Sequence, residues 1–264
     1  MALAKQTWKY QGEYYKDLTF EMVKAELKAR HFQKLLGPIW WLLEPTFMAL
    51  IYFFLTTVMF RSSTGTHHLL FIFTAVIAWR WFSKTVDNSP SIVLSYAGLF
   101  KQTNFPAAIV LFVTATTEMV FFLSGLTVLI MFGMGFGVFP TVAYIYLPIV
   151  ILTQLFFSFG IASILATLGV FVRDLAQIIY VFTSIWFYLS PGIYPVEMVP
   201  QRFLKYYYMN PFATIMPAYR SIMIDGKPPS DIHLLLLWFV FGIILTIIGV
   251  KFFLRTKPKF YKYL

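Results

Sequence analysis

Two carboxylates lie within long apolar stretches of the sequence, Glu44 in one stretch and Glu118 in another. An ionisable side chain in such surroundings is costly to bury and usually has a function, such as carrying a proton. The alternative is structural, since either carboxylate can hydrogen-bond to a neighbouring helix. Neither has a partner that can be read from the sequence, so the roles of Glu44 and Glu118 stay open at this level.

A cluster of aromatic side chains is the second group with recognisable chemistry. Aromatic residues make up 20 % of the chain. One subset is concentrated at the end of an apolar stretch and just beyond it: Trp186, Phe187, Tyr188, Tyr194, Tyr206 and Tyr207. Aromatic rings with hydroxyl groups stack on the faces of sugars without trapping them, which suits a path for a glycan. An aromatic belt at a membrane surface explains each residue, taken singly, equally well.

Enzymatic chemistry has little support in this sequence. It contains no Walker A loop, and the four histidines show no metal-ligand spacing with carboxylates. His67 and His68 are expected to form an exposed pair in a short turn. The absence of cysteine excludes thiolate metal sites and disulfides. A membrane-bound sugar transferase would need several charged groups at one membrane face, whereas Asp87 and Asp174 are the only carboxylates expected in the cytoplasmic loops beyond residue 34. We therefore expect no catalytic residue, metal or cofactor in this chain.

The composition is that of a membrane protein. Hydrophobic residues make up 59 % and charged residues 12 % of the 264 residues, whereas a soluble domain is about half apolar and about a quarter charged. This length allows one integral membrane domain. The formal net charge of +10 is therefore interpreted by its distribution along the chain, and no nucleic-acid partner is expected.

Six apolar segments are predicted to cross the membrane as helices, because a span needs about 20 mostly apolar residues. Their limits are residues 39–60, 69–90, 107–137, 142–172, 175–194 and 232–254. The apolar run at 69–82 is short by itself and could re-enter the membrane from one side, but the charge distribution favours a full span extended towards Pro90. The expected fold class is all-α, with six transmembrane helices in a single domain.

The basic residues favour a cytoplasmic N-terminus and a cytoplasmic C-terminus. With six spans, the Lys and Arg residues expected outside are Arg61, Arg202, Lys205, Arg220 and Lys227, so sixteen of the 21 face the cytoplasm. This asymmetry agrees with the positive-inside rule. The first 34 residues are polar and charged, so no cleavable signal peptide is expected and the first span serves as its own insertion signal.

Three segments are not expected to span the membrane. Residues 13–34 place apolar side chains at steps of three or four, which predicts an amphipathic helix on the membrane surface; a solvated helix packed on another subunit is the alternative. Residues 91–101 lie between Pro90 and Pro106 and are expected to form a short cytoplasmic helix. Residues 195–231 are rich in proline and are expected to form short external helices that re-enter the membrane or lie at its surface.

The order of several short motifs resembles that of ABC type-2 polysaccharide export permeases, the group that moves O-antigen and teichoic acid chains. The motifs are YKDL at 15–18, LGPIWWLLEP at 36–45, FK at 100–101, NFP at 104–106, RDL at 173–175, SPGIYP at 190–195 and NP at 210–211. Each is short, but their order and spacing within six spans extend the resemblance over residues 14–255. The likeness is greatest to the membrane subunit of lipopolysaccharide O-antigen exporters.

This resemblance implies a homodimer in the bacterial inner membrane that binds two copies of a separate nucleotide-binding subunit, which holds the ATP and Mg²⁺. The absence of a Walker A loop from the sequence agrees with ATP hydrolysis by another subunit. Residues 13–34 would form an interface helix, and residues 195–231 would supply the external gate. The implied substrate is a polysaccharide linked through pyrophosphate to an undecaprenyl-type lipid.

The resemblance also gives roles to individual residues. The aromatic cluster defined above would line the substrate path and the exit gate. The residues expected to couple the chain to the ATPase are Arg173, Asp174, Leu99 and Phe100. The residues expected from their charge and side of the membrane to meet the pyrophosphate at the entrance are Arg30, Lys34 and Lys101.

Two other functions are compatible with a membrane protein of this kind. A type-2 permease for drugs or lipids is the first alternative, although the aromatic cluster and the motif at 36–45 favour polysaccharide. A membrane anchor or assembly scaffold is the second. It would explain neither the Ser-Pro break at 190–191 nor the long segment that follows.

Overall fold

The computed structural model describes residues 2–30, 39–59, 67–100 and 105–263, with the side chains of residues 2–12, 41 and 42 left out of the description. Within these ranges the chain forms helices and no strand. The first half contains α1 (Ala2–Ala29), α2 (Trp40–Phe54), α3 (His68–Asn88), α4 (Ile92–Ser95), α5 (Ala97–Phe100) and α6 (Ala108–Gly135). The second half contains α7 (Leu147–Gly169), α8 (Leu175–Tyr188), α9 (Gln201–Tyr207), α10 (Phe212–Met223) and α11 (Ile232–Phe260).

Shorter helical turns extend several of these elements. The π-helical turn Leu55–Met59 continues α2, and the 3₁₀ turn Ser89–Ser91 joins α3 to α4. A second 3₁₀ turn, Val142–Tyr146, leads into α7, and a third, Val196–Met198, precedes α9.

Four of the described helical segments are long and apolar enough to cross a membrane. They are His68–Ser95, Ala108–Gly135, Val142–Gly169 and Ile232–Phe260. Two shorter apolar helices, Leu43–Met59 and Leu175–Tyr188, cover two of the other predicted spans in part. The all-helical membrane architecture expected from the sequence is therefore confirmed for the described residues.

Helix α3 lies at the centre of the bundle and packs against α2, α6, α7, α8 and α10. Its buried side chains include Ile72, Ala75 and Phe82, which belong to the main hydrophobic core. Helices α7 and α11 pack closely along each other, because glycines let their backbones approach. A Cβ atom on Gly160 would lie only 2.7 Å from the Thr246 nitrogen.

Helices α8 and α11 each end six residues away from the predicted limit. Helix α8 ends at Tyr188 rather than 194, since Pro191 disfavours helical backbone in the residue before it. The chain turns back there, with the Gly192 nitrogen 2.7 Å from the Ser190 carbonyl oxygen. Helix α11 continues to Phe260, beyond the predicted limit of 254.

The segment 195–231 forms two helices with different surroundings. Helix α9 has no buried residue. Helix α10 is largely enclosed, with Phe212, Ile215 and Met216 fully buried, and it packs against α3 and α7. The second helix of this segment is therefore part of the core rather than a surface helix.

Candidate functional site

A polar cavity of about 640 Å³ lies among α1, α2, α3, α4 and α6. Apolar side chains such as Trp81 and Phe122 form part of its wall. Its charged lining consists of Glu26, Arg30, Glu44, Arg80, Lys84, Asp87 and Glu118. Seven charges around one cavity of a chain with only 12 % charged residues make this the leading candidate for a functional site.

Arg30, which is partly exposed, forms an ion pair with the buried Glu118 at the cavity. The Arg30 Nη1 atom lies 2.7 Å from Glu118 Oε1, and Arg30 Nε lies 3.3 Å from Glu26 Oε1. The Asn88 side-chain amide also donates to Glu118 Oε1 at 3.3 Å. Burial alone would lower the pKa of Arg30, but Glu118 and Glu26 outweigh it, so the pKa is raised and the guanidinium stays charged. Glu118 thus has a charged partner that the sequence did not reveal.

A tyrosine extends this contact to the short helices that follow α3. The Tyr96 hydroxyl, between α4 and α5, donates to Glu26 Oε2 at 2.9 Å. Burial raises the pKa of Tyr96, and the neighbouring Glu26 raises it further, so the hydroxyl stays protonated and acts as a donor. One polar network therefore links α1, α3, α6 and the turn between α4 and α5.

The second carboxylate from the apolar stretches, Glu44, also has basic partners. Arg80 Nη1 lies 2.6 Å from Glu44 Oε1, and Lys84 Nζ lies 4.0 Å from the same oxygen. This pair joins α2 to α3, and its carboxylate is 46 % exposed, whereas that of Glu118 is 4 % exposed. Arg80 and Lys84 are four residues apart and share one face of α3. That spacing is the signal in the sequence for these cavity cations, which are otherwise two of the sixteen basic residues expected to face the cytoplasm.

Asp87 connects the cavity to α8. Its Oδ1 atom accepts a hydrogen bond of 2.7 Å from the hydroxyl of Thr183, which is buried in the middle of α8. The contact spans 96 positions of the chain. Movement of α8 would therefore act directly on the wall of the cavity.

The residues predicted at the entrance and at the ATPase contact fall in different surroundings. Arg30 lines the cavity, whereas Lys34 and Lys101 lie outside the described residues. The residues of the two predicted coupling regions are Arg173, Asp174, Leu99 and Phe100. The first two are exposed in the turn between α7 and α8, Leu99 is half-buried, and Phe100 is buried. Phe100 packs against the rings of Phe105 and Phe260 and so anchors α5 to the end of α11.

Two members of the predicted aromatic path belong to the interior. Trp186 stacks edge-to-face on Phe212 with ring centroids 6.1 Å apart, and its Nε1 donates to Asn210 Oδ1 at 3.2 Å. Phe187 is buried, with its ring 5.5 Å from that of Trp79. Both side chains therefore hold α8 against the core.

The tyrosines of the same path are more accessible. Tyr188 is 56 % and Tyr206 is 69 % exposed. The Tyr207 hydroxyl donates to that of Tyr194 at 3.1 Å, and the Tyr194 hydroxyl donates to the Tyr188 carbonyl at 3.2 Å. Burial and the contact with Tyr194 raise the pKa of Tyr207, which keeps the hydroxyl neutral. Tyr188, Tyr194 and Tyr207 are thus linked at the chain reversal after α8, and Tyr206, the fourth tyrosine, precedes Tyr207 in α9.

The expectation of an exposed histidine pair is wrong for His68. This residue is buried in the first turn of α3, and its Nε2 atom lies 2.7 Å from the Thr56 hydroxyl. Its ring also packs against those of Phe53 and Phe71. Among the described residues, no group of three or more His, Asp and Glu side chains could hold a metal ion.

Comparison with known proteins identifies the kind of molecule that carries this cavity. An O-antigen export system permease protein RfbA from Klebsiella pneumoniae is 28 % identical over 253 residues, which cover 96 % of both chains. A protein of the same name from Myxococcus xanthus is 30 % identical over 218 residues, or 82 % of this chain and 84 % of that protein. The sequence profile of the ABC-2 type transporter family matches residues 17–224. This chain therefore belongs to the ABC-2 type transporter family, as a membrane transport component.

Proposed function

We propose that this chain is the permease subunit of an ATP-driven exporter that moves lipid-linked polysaccharide of the O-antigen type across the bacterial inner membrane. The observation that carries the proposal is the similarity to an O-antigen export permease over 96 % of both chains. Similarity over this length includes the cavity, the break after α8 and the helices that follow it.

Six spans with both termini in the cytoplasm complete the proposed topology. The spans are α2 with its π-helical turn, α3, α6, α7, α8 and α11, and α1 lies along the cytoplasmic membrane surface. Support comes from the excess of Lys and Arg residues in the segments assigned to the cytoplasm. In this orientation the polar cavity opens towards the cytoplasm, and the four tyrosines lie at the external end.

The cavity suits the pyrophosphate end of a lipid-linked substrate. Arg30 is engaged by the buried Glu118, so a phosphate that took Arg30 would leave that carboxylate buried without its charged partner. The pair of Arg80 and Lys84 with Glu44 is more exposed and is easier to open. We therefore add Arg80 and Lys84 to the entrance cations, next to Arg30, Lys34 and Lys101.

Energy would come from two copies of a nucleotide-binding subunit that carry the ATP and Mg²⁺ and dock on the cytoplasmic face of a homodimer of this chain. Arg173 and Asp174 would make that contact, and their exposure supports this role. Leu99 would touch the ATPase, while the buried Phe100 would transmit the displacement to α11. The external tyrosines would line the exit of the glycan.

Complementation of an export-deficient strain tests this function. Cells that assemble the glycan but lack their own permease should display surface polysaccharide when this chain and its ATPase are expressed. Replacing Arg80 and Lys84 by Gln should reduce that display, because the entrance loses two cations. The matched control is Arg202→Gln with Lys205→Gln, two exposed basic residues of α9, which should leave export unchanged.

The alternative of a drug or lipid permease predicts another outcome. Surface polysaccharide would then be absent, and the cells would instead gain ATP-dependent efflux of amphipathic dyes. That result would contradict the proposed substrate.

A further inference from the structure

Helix α10 contains a buried arginine whose role is not explained by the cavity. Arg220 is 5 % exposed, and among the described residues no carboxylate lies within ion-pair distance of its guanidinium. Burial lowers the pKa of Arg220 to about 9, while Tyr207 and Glu197 act in the opposite direction. The side chain thus remains charged at neutral pH, and a charge buried in this way needs hydrogen-bond acceptors.

The acceptors are main-chain carbonyl groups from two distant segments. Arg220 Nε donates to the Phe71 carbonyl oxygen at 3.0 Å, and Nη2 donates to the Gly192 carbonyl oxygen at 2.6 Å. The guanidinium carbon lies 3.3 Å from the centre of the Phe71 ring, a cation–π contact. The rigid fork of arginine lets one side chain bind both carbonyls, which the ammonium of lysine cannot reproduce.

The carbonyl groups of Phe71 and Gly192 differ in the other contacts that hold them in position. Phe71 lies inside α3, where the helix itself holds the backbone. Gly192 lies in the non-helical reversal between α8 and the 3₁₀ turn Val196–Met198. The reversal therefore depends on the bond to Arg220 more than α3 does.

Helix α10 holds the same reversal at a second point. The Asn210 side-chain amide donates to Ser190 Oγ at 2.9 Å and to the Leu189 carbonyl at 3.3 Å. Its Oδ1 atom accepts from the nitrogen of Phe212 at the start of α10. Asn210 thus attaches the beginning of the reversal to one end of α10, and Arg220 attaches Gly192 nearer the other end.

We propose that Arg220 is a positioning residue that clasps the external reversal, residues 189–195, onto α3 and α10 and keeps the exit closed. The role of the reversal in an exit rests on the proposed export function. Opening requires the guanidinium to leave the Gly192 carbonyl, because that bond joins Gly192 to the buried helix α10, whereas Asn210 holds only the beginning of the reversal. Charged hydrogen bonds are stronger than neutral ones, so the closed position is the resting one.

Thiol labelling of the intact permease–ATPase complex tests the clasp, and the chain is suited to it because it has no cysteine of its own. Ser190, which is fully buried, is replaced by Cys as the reporter in every variant, so the change at its contact with Asn210 is common to all the rates compared. In proteoliposomes, a membrane-impermeant maleimide should label Ser190→Cys about tenfold faster when Arg220→Gln is added. Arg220→Lys should give an intermediate rate, since it keeps the charge but not the fork.

Two controls separate a local clasp from general loss of structure. Arg202→Gln removes an exposed arginine of the neighbouring α9 and should leave the labelling rate unchanged. A Cys at Ser163, buried in α7, should stay unreactive in the Arg220→Gln background. Equal Ser190→Cys rates with and without Arg220 would overturn the proposal, and so would labelling at both buried sites. The readout needs no substrate, so failed export with an intact labelling pattern would refute the export function and not the clasp.

Discussion

The ion pair between Arg30 and Glu118 gives the polar cavity its most buried charge contact among the described residues. Removing one partner leaves the other charge desolvated without compensation. We expect Glu118→Gln and Arg30→Gln each to reduce the free energy of unfolding by about 1–3 kcal/mol, and the double variant to lose less than the sum. Unfolding of the purified protein in detergent measures this.

The exposed pair of Glu21 and Lys24 on α1 is the matched control for that cycle. Glu21→Gln should change stability by less than about 0.5 kcal/mol, because exposed ion pairs contribute little. Additive effects at Arg30 and Glu118 would show that the two side chains do not act as a pair.

The aromatic residues at the end of α8 should separate into two classes. Trp186→Ala removes a ring packed on Phe212 and should reduce stability by about 3–5 kcal/mol. Tyr188→Ala removes an exposed ring and should leave stability within about 0.5 kcal/mol while lowering export. Unfolding midpoints and surface polysaccharide measure the two effects. Unchanged export in Tyr188→Ala would remove this residue from the glycan path.

At the residue scale, the sequence predicts which side chains are unusual better than it predicts the residues that they contact. The sequence identified Glu44 and Glu118 as unusual because a charge in an apolar run is visible in one dimension. Glu118 bonds to Arg30, 88 positions away, and such a distance is fixed only by the packing of α1 on α6. Trp186 and Tyr188 are both aromatic residues at the end of α8, so the sequence does not distinguish them. They differ in the direction of their side chains, because Trp186 packs on the core and Tyr188 is exposed.

At the element scale, glycines determine how closely α7 and α11 pack. Gly160→Ala places a Cβ atom 2.7 Å from a main-chain nitrogen of α11, which only a shift of the helix can relieve. We expect a loss of about 1–3 kcal/mol. Gly135→Ala is the control, because nothing lies within 4 Å of the added atom. Equal stabilities of the two variants would mean that the contact between α7 and α11 is loose.

The elements differ in how well their sequences predict them. Long apolar runs predict α6, α7 and α11 well, because nearly every side chain in them can face either lipid or the protein core. The end of α8 was only partly anticipated: Pro191 marks the break, but the apolar character continues for several residues after the helix stops. The sequence does not predict that α10 is buried, because Pro217 and Arg220 interrupt its apolar pattern. The residues that bury it belong to α3 and α7, which are distant in the chain.

At the scale of the whole molecule, the proposed orientation can be tested by single cysteines in this cysteine-free chain. Met198 and Tyr261 are both exposed and lie at opposite ends of the proposed topology. In intact spheroplasts, an impermeant maleimide should label Met198→Cys, whereas Tyr261→Cys should react only after the membrane is permeabilised. The reverse labelling pattern would contradict the proposed orientation and would show that the polar cavity opens to the external side.

The most direct test of the account is transport in vesicles that contain only this chain, its nucleotide-binding subunit and a lipid-linked polysaccharide. With the ATPase facing the medium, the glycan should become protected from an added glycosidase in the presence of ATP, and not with a non-hydrolysable analogue. Arg80→Gln with Lys84→Gln should slow this protection, because the entrance loses its more accessible cations. ATP hydrolysis by the complex without any protection of the glycan would contradict the claim that the chain exports polysaccharide.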